Sequence, residues 1–355
     1  MGHKWLVLLG AVTLVAVARP SLAQQWDDGL HTAAAGGLRA FDPNPDYSSQ
    51  VAHSCYIPTW RAHGEFLLLR PGSDKVSYAV PIDGAIAPPD GVPPVQVGRE
   101  SVLDPGYNAG FRVGFDRALT DRTSLGLVYS HFESRTSDQV TVEAPGVLRS
   151  LINHPGTVAA PTDFLDASGR YGIDFRMADI EFRRHLSCGP QHLVSGLVGV
   201  RYAHLDQRLA SEFTDGIAIE TVDSRINFDG GGIRFGLEGE RHSARSGFLA
   251  YGKTGASFLA GEFSSSYVQA DSFRDVVVDT GWREDRVVTI LDVELGVGWT
   301  SADGGLRLTA GYMFSGWLNT LTTGELIQAV QTNDSVSVHD TLTFDGLAVR
   351  GELRF

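Results

Sequence analysis

A two-residue alternation of apolar with polar or small side chains constrains this chain more than any other feature. It recurs in segments of about ten to fourteen residues, the signature of β-strands, whose successive side chains point to opposite faces. The last segment shows it most clearly. Leu347, Val349, Gly351, Leu353 and Phe355 share one face, and Arg350, Glu352 and Arg354 share the other. Phe111, Val113 and Phe115 alternate in the same way with Arg112, Gly114 and Asp116, and Val293, Leu295, Val297 and Trp299 with Asp292, Glu294, Gly296 and Gly298. Strands are predicted near 60–70, 107–119, 124–134, 172–185, 192–205, 225–241, 248–260, 287–299, 306–318 and 343–355. The alternation loses phase near Ala178 and at Gly230-Gly231-Gly232, and a β-bulge at each is the expected cause.

The gaps between strands alternate in length. Segments 120–123, 186–191, 242–247 and 300–305 are short and turn-like, whereas 71–106, 135–171, 206–224, 261–286 and 319–342 are long. Short turns at one end and long loops at the other predict an all-β fold, a transmembrane antiparallel up-and-down β-barrel of about ten strands (about eight to twelve), with the turns periplasmic and the loops extracellular. Three features favour a membrane barrel over a soluble one. The chain stops on Phe355 at the end of an amphipathic strand, like the carboxy-terminal signal read by the outer-membrane assembly machinery. Trp60, Tyr107, Tyr171, Tyr202 and Trp299 lie at strand ends and, by parity, on the apolar face, as interfacial girdles require. The long gaps are polar and confined to one end.

Residues 1–23 read as a secretory signal peptide: Lys4, an apolar run, then Ser21-Leu22-Ala23 as a small-residue cleavage site. Residues 24–59 lack periodicity and form a periplasmic tail, and 60–355 form the barrel. The formal charge is −13, and it becomes −15 when the leader takes Lys4 and Arg19 with it. Such acidity argues against nucleic acid as a partner. Nearly all of it falls in the long gaps, which predicts an acidic extracellular mouth that concentrates cations or binds divalent ions shared with lipid headgroups. Outer-membrane lipid and the assembly machinery are the expected partners, with self-association left open. Only two cysteines occur, Cys55 and Cys188. Both fall on the periplasmic side of this topology, an oxidising compartment, so an intramolecular disulfide is expected.

With the polar face taken as the lumen, the candidate functional residues are Glu65, Arg112, Asp116, Glu181, Arg183, Arg201, Arg234, Glu238, Lys253, Asp292, Glu294, Arg307, Arg350 and Glu352, joined by His63, Asp179, Glu240 and Arg354. They form either a network of ion pairs that holds a narrow barrel together or the walls of a pore that sets ion selectivity. No G-x-S-x-G, H-E-x-x-H or C-x-x-C occurs, nor a glycine loop followed by Lys-Ser/Thr, so neither an enzyme nor a cofactor or metal site is expected.

The strand texts WRAHGEFLLLRP, NAGFRVGF, SGLVGVRYAHL and GLAVRGELRF resemble the Legionella-type major outer membrane protein family, a likeness running from about Trp60 to Phe355. The resemblance implies an outer-membrane location and a pore-forming barrel. The leading expectation is a porin-like channel for ions or small solutes. The alternative is a closed barrel acting as a surface adhesin or structural protein through its loops, and the third a membrane-embedded lipid-modifying enzyme.

Overall fold

The computed structural model describes residues 57–355 apart from 73–74, 87–90, 158–162, 244–245 and 335–338. The leader, nearly all of the tail and Cys55 lie outside the described residues. In chain order the strands are β1 (Trp60–Pro71), β2 (Val76–Ile82), β3 (Ser101–Leu103), β4 (Asn108–Thr120), β5 (Thr123–Thr141), β6 (Val147–Ser150), β7 (Asp166–Cys188), β8 (His192–Thr214), β9 (Ile219–His242), β10 (Phe248–Asp271), β11 (Asp275–Thr300), β12 (Leu306–Thr320) and β13 (Asp340–Arg354). A helix, α1 (Thr323–Thr332), joins the last two. Among the described residues no helix is long and apolar enough to cross a membrane.

Ten strands close into an antiparallel barrel in the order β1-β13-β12-β11-β10-β9-β8-β7-β5-β4, with β4 pairing back onto β1. Closure gives every wall strand a neighbour on both sides, which hydrocarbon demands. The chain end makes the seam: Trp60 and Phe355 exchange backbone hydrogen bonds of 2.7 and 3.0 Å. On the outer wall the lower barrel is apolar and exposed, with Phe115, Leu127, Ile180, Phe182, Val200, Phe235 and Val297 among its residues.

The strands are longer than expected. β7 to β11 run 23 to 26 residues, whereas a spanning strand needs about 9–11. The predicted loops 206–224 and 261–286 are therefore mostly strand, closed by tight tips between Thr214 and Ile219 and between Asp271 and Asp275. The other three long gaps fold inward as a cap. β2, β3 and β6 form a small sheet, and α1 presents Leu326, Ile327, Ala329 and Val330 to the same buried cluster.

Neither predicted bulge exists. The β7 ladders run unbroken through Ala178, and both ladders of β9 run unbroken through Gly230-Gly231-Gly232. What changes there is the chemistry of the two faces. Inward along β7 come Tyr171, Ile173, Phe175 and Met177, then Asp179, Glu181 and Arg183; outward come Arg170, Asp174 and Arg176, then Ile180 and Phe182. Within the membrane the outside is apolar and the inside polar; above it the assignment reverses. A hydrophobicity pattern loses phase at that level although the backbone does not.

Candidate functional site in a two-tier lumen

The lower tier is charged. All the candidate lumen residues face inward, and their ion pairs both follow the wall, as between the register partners Asp179 and Arg201, and reach across non-adjacent strands. Arg201 on β8 grips Asp179 through Nε and Nη2 at 2.7 and 2.8 Å and reaches Asp292 on β11 at 2.9 Å. Arg234 joins the same carboxylates at 3.3 and 3.4 Å and Glu181 at 3.2 Å. Arg183 contacts Asp116, Glu238 and Glu181 at 3.2–3.4 Å. Arg112 on β4 holds Glu65 at 2.7 Å and lies 3.7 Å from Glu294 on the far wall, which also accepts from Lys253 at 2.8 Å and from the Tyr251 hydroxyl. Nearer the periplasm Arg307 holds Glu240 at 2.8 Å, and Arg350 and Arg354 flank Glu352.

Strand pleating places these groups in register, because every second residue of a wall strand must enter the lumen. Burying so many charges is tolerable only with each one paired, and here guanidinium forks meet carboxylates from two or three strands at once. The space left is small. One cavity of about 70 Å³ lies among Arg112, Asp179, Arg234 and Lys253, and one of about 30 Å³ among Arg61, Glu240, Tyr251 and Arg307. Such volumes hold a few waters.

The upper tier is apolar. Phe132, Phe175, Trp317 and Phe344 are buried and meet in the middle of the barrel. Phe175 on β7 lies 5.9 Å, centroid to centroid, from Trp317 on β12, and these strands are diametrically opposite in the ring. Phe344 stands edge-on to Phe175 at 4.8 Å and to Phe132 at 5.7 Å. Rings from opposite walls thus meet across the lumen at this level.

The cap rests on this septum through a few buried polar anchors. Gln207 accepts from the Tyr171 hydroxyl and the Thr323 amide, each at 3.2 Å, and donates to the Leu321 carbonyl at 2.8 Å, pinning the start of α1 to the wall. Gln331 ties the end of α1 to the Leu151 and Asn153 carbonyls. Glu220 is wholly buried; one of its oxygens accepts from Asn153 and, at 2.7 Å, from Gln269. Burial, with Asp271 directly opposite on β10, pushes the Glu220 carboxyl up to about 7.

The match to known proteins fits this architecture. The profile of the Legionella pneumophila major outer membrane protein precursor family covers residues 52–355. The chain belongs to that family. As a member of the major outer membrane protein family it resides in the outer membrane, where its exposed apolar wall faces lipid. No curated protein sequence matches it. The outer membrane protease OmpT of Escherichia coli superposes with a TM-score of 0.48 at 11% identity, over 84% of this chain and 98% of that one. The toluene transporter TodX of Pseudomonas putida does so with a TM-score of 0.30 at 8% identity, over 86% and 93%.

Four of the five expected girdle residues of this family member lie on the outer face. Tyr107, Tyr202 and Trp299 are exposed on the outer wall, and Trp60 packs on outward-facing Phe115 at 5.0 Å. Tyr171 does not: it is buried inside the barrel. It lies above the level at which the faces exchange, so an aromatic residue there belongs to the apolar interior. Cys188, at the end of β7, is disulfide-bonded, and the chain's other cysteine, Cys55, lies outside the described residues. Among the described residues one group could supply metal ligands, His131, Glu133 and Asp174, whose donor atoms lie within 4.8 Å of one another on the outer wall, away from the lumen. The septum and the polar anchors of the cap were not legible as a site. The one available signal was the pair of phase losses, which mark the boundary between the tiers.

Proposed function

We propose that this outer-membrane protein is closed to solutes in its resting state and acts through the folded cap it presents at the cell surface. The observation that carries this reading is the contact between Phe175 and Trp317 from opposite walls. The charged tier beneath supports it, since pairs such as Arg201–Asp292 and Arg112–Glu294 also bridge the barrel. In this reading the lumen charges serve as the polar core of the barrel. The acidity expected of a channel mouth then belongs to a capped surface.

A second reading is a gated channel for ions or small solutes, cation-preferring because of its acidic outer end. It draws on one observation: much of the upper plug is carried by loops, namely α1 and the sheet of β2, β3 and β6, which can move without unzipping the wall. Planar-bilayer recording on the refolded full chain separates the two. The closed reading expects no steady conductance. Regular steps of one size at every insertion overturn it in favour of the channel, and brief openings that follow cap displacement favour the gate.

A further inference from the structure

The outer wall above the apolar band carries a pattern that the lumen does not explain. Across β5, β7, β8 and β9 the registers line side chains into rows. Tyr129, Ala178, Tyr202 and Gly231 form the row at the top of the apolar band. Six residues further along each strand stand Arg135, Gly172, Arg208 and Arg225, in one straight row. The three arginine side chains are 82%, 63% and 50% exposed.

Arg208 and Arg225 are directly paired across the β8–β9 ladder, an arrangement that like charges disfavour. A single carboxylate, Asp206, serves both, accepting from Arg208 at 2.7 and 3.0 Å and from Arg225 at 2.9 Å. Two guanidiniums on one carboxylate leave unused N–H donors, while the next row down carries Glu133, Asp174 and Asp206, of which Glu133 pairs with Arg135. Between Arg135 and Arg208 the row holds Gly172, so the wall is notched where a third side chain would stand. The row is confined to one sector: continued onto β10 and β11 it meets Ser266 and Gly281.

We propose that this arginine row docks the anionic saccharide headgroup of an outer-leaflet glycolipid. The row stands on the same outer wall as the lipid-facing band, six residues above its top. Its donors suit the phosphates or sugar-acid carboxylates of such a headgroup, which planar guanidiniums bind in bidentate fashion. Height selects the class of lipid. Six residues rise about 20 Å along a strand, or about 15 Å along the membrane normal at barrel tilt. A phospholipid headgroup layer adds only about 5–8 Å beyond the acyl region. The phosphate of a phospholipid stops short of the row, whereas the inner sugars of a glycolipid reach it.

The test uses the folded full chain in detergent and three probes: lipopolysaccharide bearing inner-core sugars, lipid A alone, and phosphatidylglycerol. Wild type is expected to prefer the core-bearing lipid over both others. Arg208→Gln with Arg225→Gln is expected to weaken that binding about tenfold or more, leaving lipid A and phosphatidylglycerol unchanged. Heat-modifiable gel mobility reports whether the variant folds, and the single change Arg135→Gln, at the most exposed of the three, serves if it does not. Undiminished binding of the core-bearing lipid by a folded variant, an equal loss for all three lipids, or no preference in wild type each overturns the proposal.

Discussion

Glu220→Gln should make the cap indifferent to pH. Glu220 is enclosed by Asn153, Gln269 and Tyr267, with Asp271 across the ladder. Its carboxyl titrates near 7 in the folded protein against an ordinary value of 4.5. The folded cap therefore binds this proton more tightly than the opened one. Its stability is full below the ordinary carboxyl range, falls as pH rises from about 4.5, and reaches its lowest level above about 7. The shift amounts to about 3 kcal/mol, or about two orders of magnitude in the opening equilibrium. The segment held by this latch is 150–157, whose His154 amide donates to Gln269 at 3.0 Å. Amide hydrogen exchange at His154, Gly156 and Thr157 should show openings rising steeply between pH 5 and 8 in wild type, after correction for intrinsic rates. In Glu220→Gln they should stay flat, because a neutral amide accepts the same hydrogen bonds at every pH and all other titrating groups are shared. Parallel pH profiles in the two proteins would refute the assignment of the latch to this carboxyl.

Three further outcomes follow from the packing. Replacing Trp317 and Phe175 together by Ala removes rings that meet across the barrel, at about 3–5 kcal/mol each; bilayers holding the variant should show openings that wild type lacks, and silence in a folded variant would place the barrier in the charged tier. Arg201→Ala leaves Asp179 and Asp292 with only the longer contacts to Arg234 and should cost about 3 kcal/mol, the low end for breaking a buried pair, read as a lower unfolding temperature of the heat-modifiable band; Arg201→Met with Asp179→Leu should cost less than the single change. Gly232→Ala drives a Cβ into the Phe258 carbonyl and should impair barrel formation, whereas Gly239→Ala, with nothing within 4 Å of the new atom, should leave it intact.

The barrel was legible because a membrane wall imposes one rule on every strand. Leu347, Val349 and Leu353 had to alternate with Arg350, Glu352 and Arg354, and ten repetitions of that rule give the strand count and the inward direction of the charged side chains at the level of the membrane. Pairing within the lumen was not legible. Arg201 meets Asp292, 91 positions away, only because the ring curves β8 and β11, with β9 and β10 between them, toward a common interior, and the sequence carries no local trace of that. The cap escaped for a different reason. Its polar anchors, Gln207, Gln269 and Gln331, are single residues without a motif, and their partners are mostly backbone groups or lone side chains far away in the chain.

The two phase losses decide what kind of barrel this is. A bulge at Ala178 or Gly230 would re-aim one strand and leave the lumen polar along its whole height, as an open pore requires. An unbroken ladder with exchanged faces instead carries the apolar side chains from outside to inside at a single level around the wall. On β9 the change falls between inward Phe228 and inward Arg234, on β1 between inward Glu65 and inward Leu67, and on β13 between inward Ala348 and inward Arg350. Strands on two sides of the ring thus make the same exchange, and the closed reading rests on the apolar tier they share. The sequence pattern that first resembled an irregularity of the wall is thus the edge of the plug.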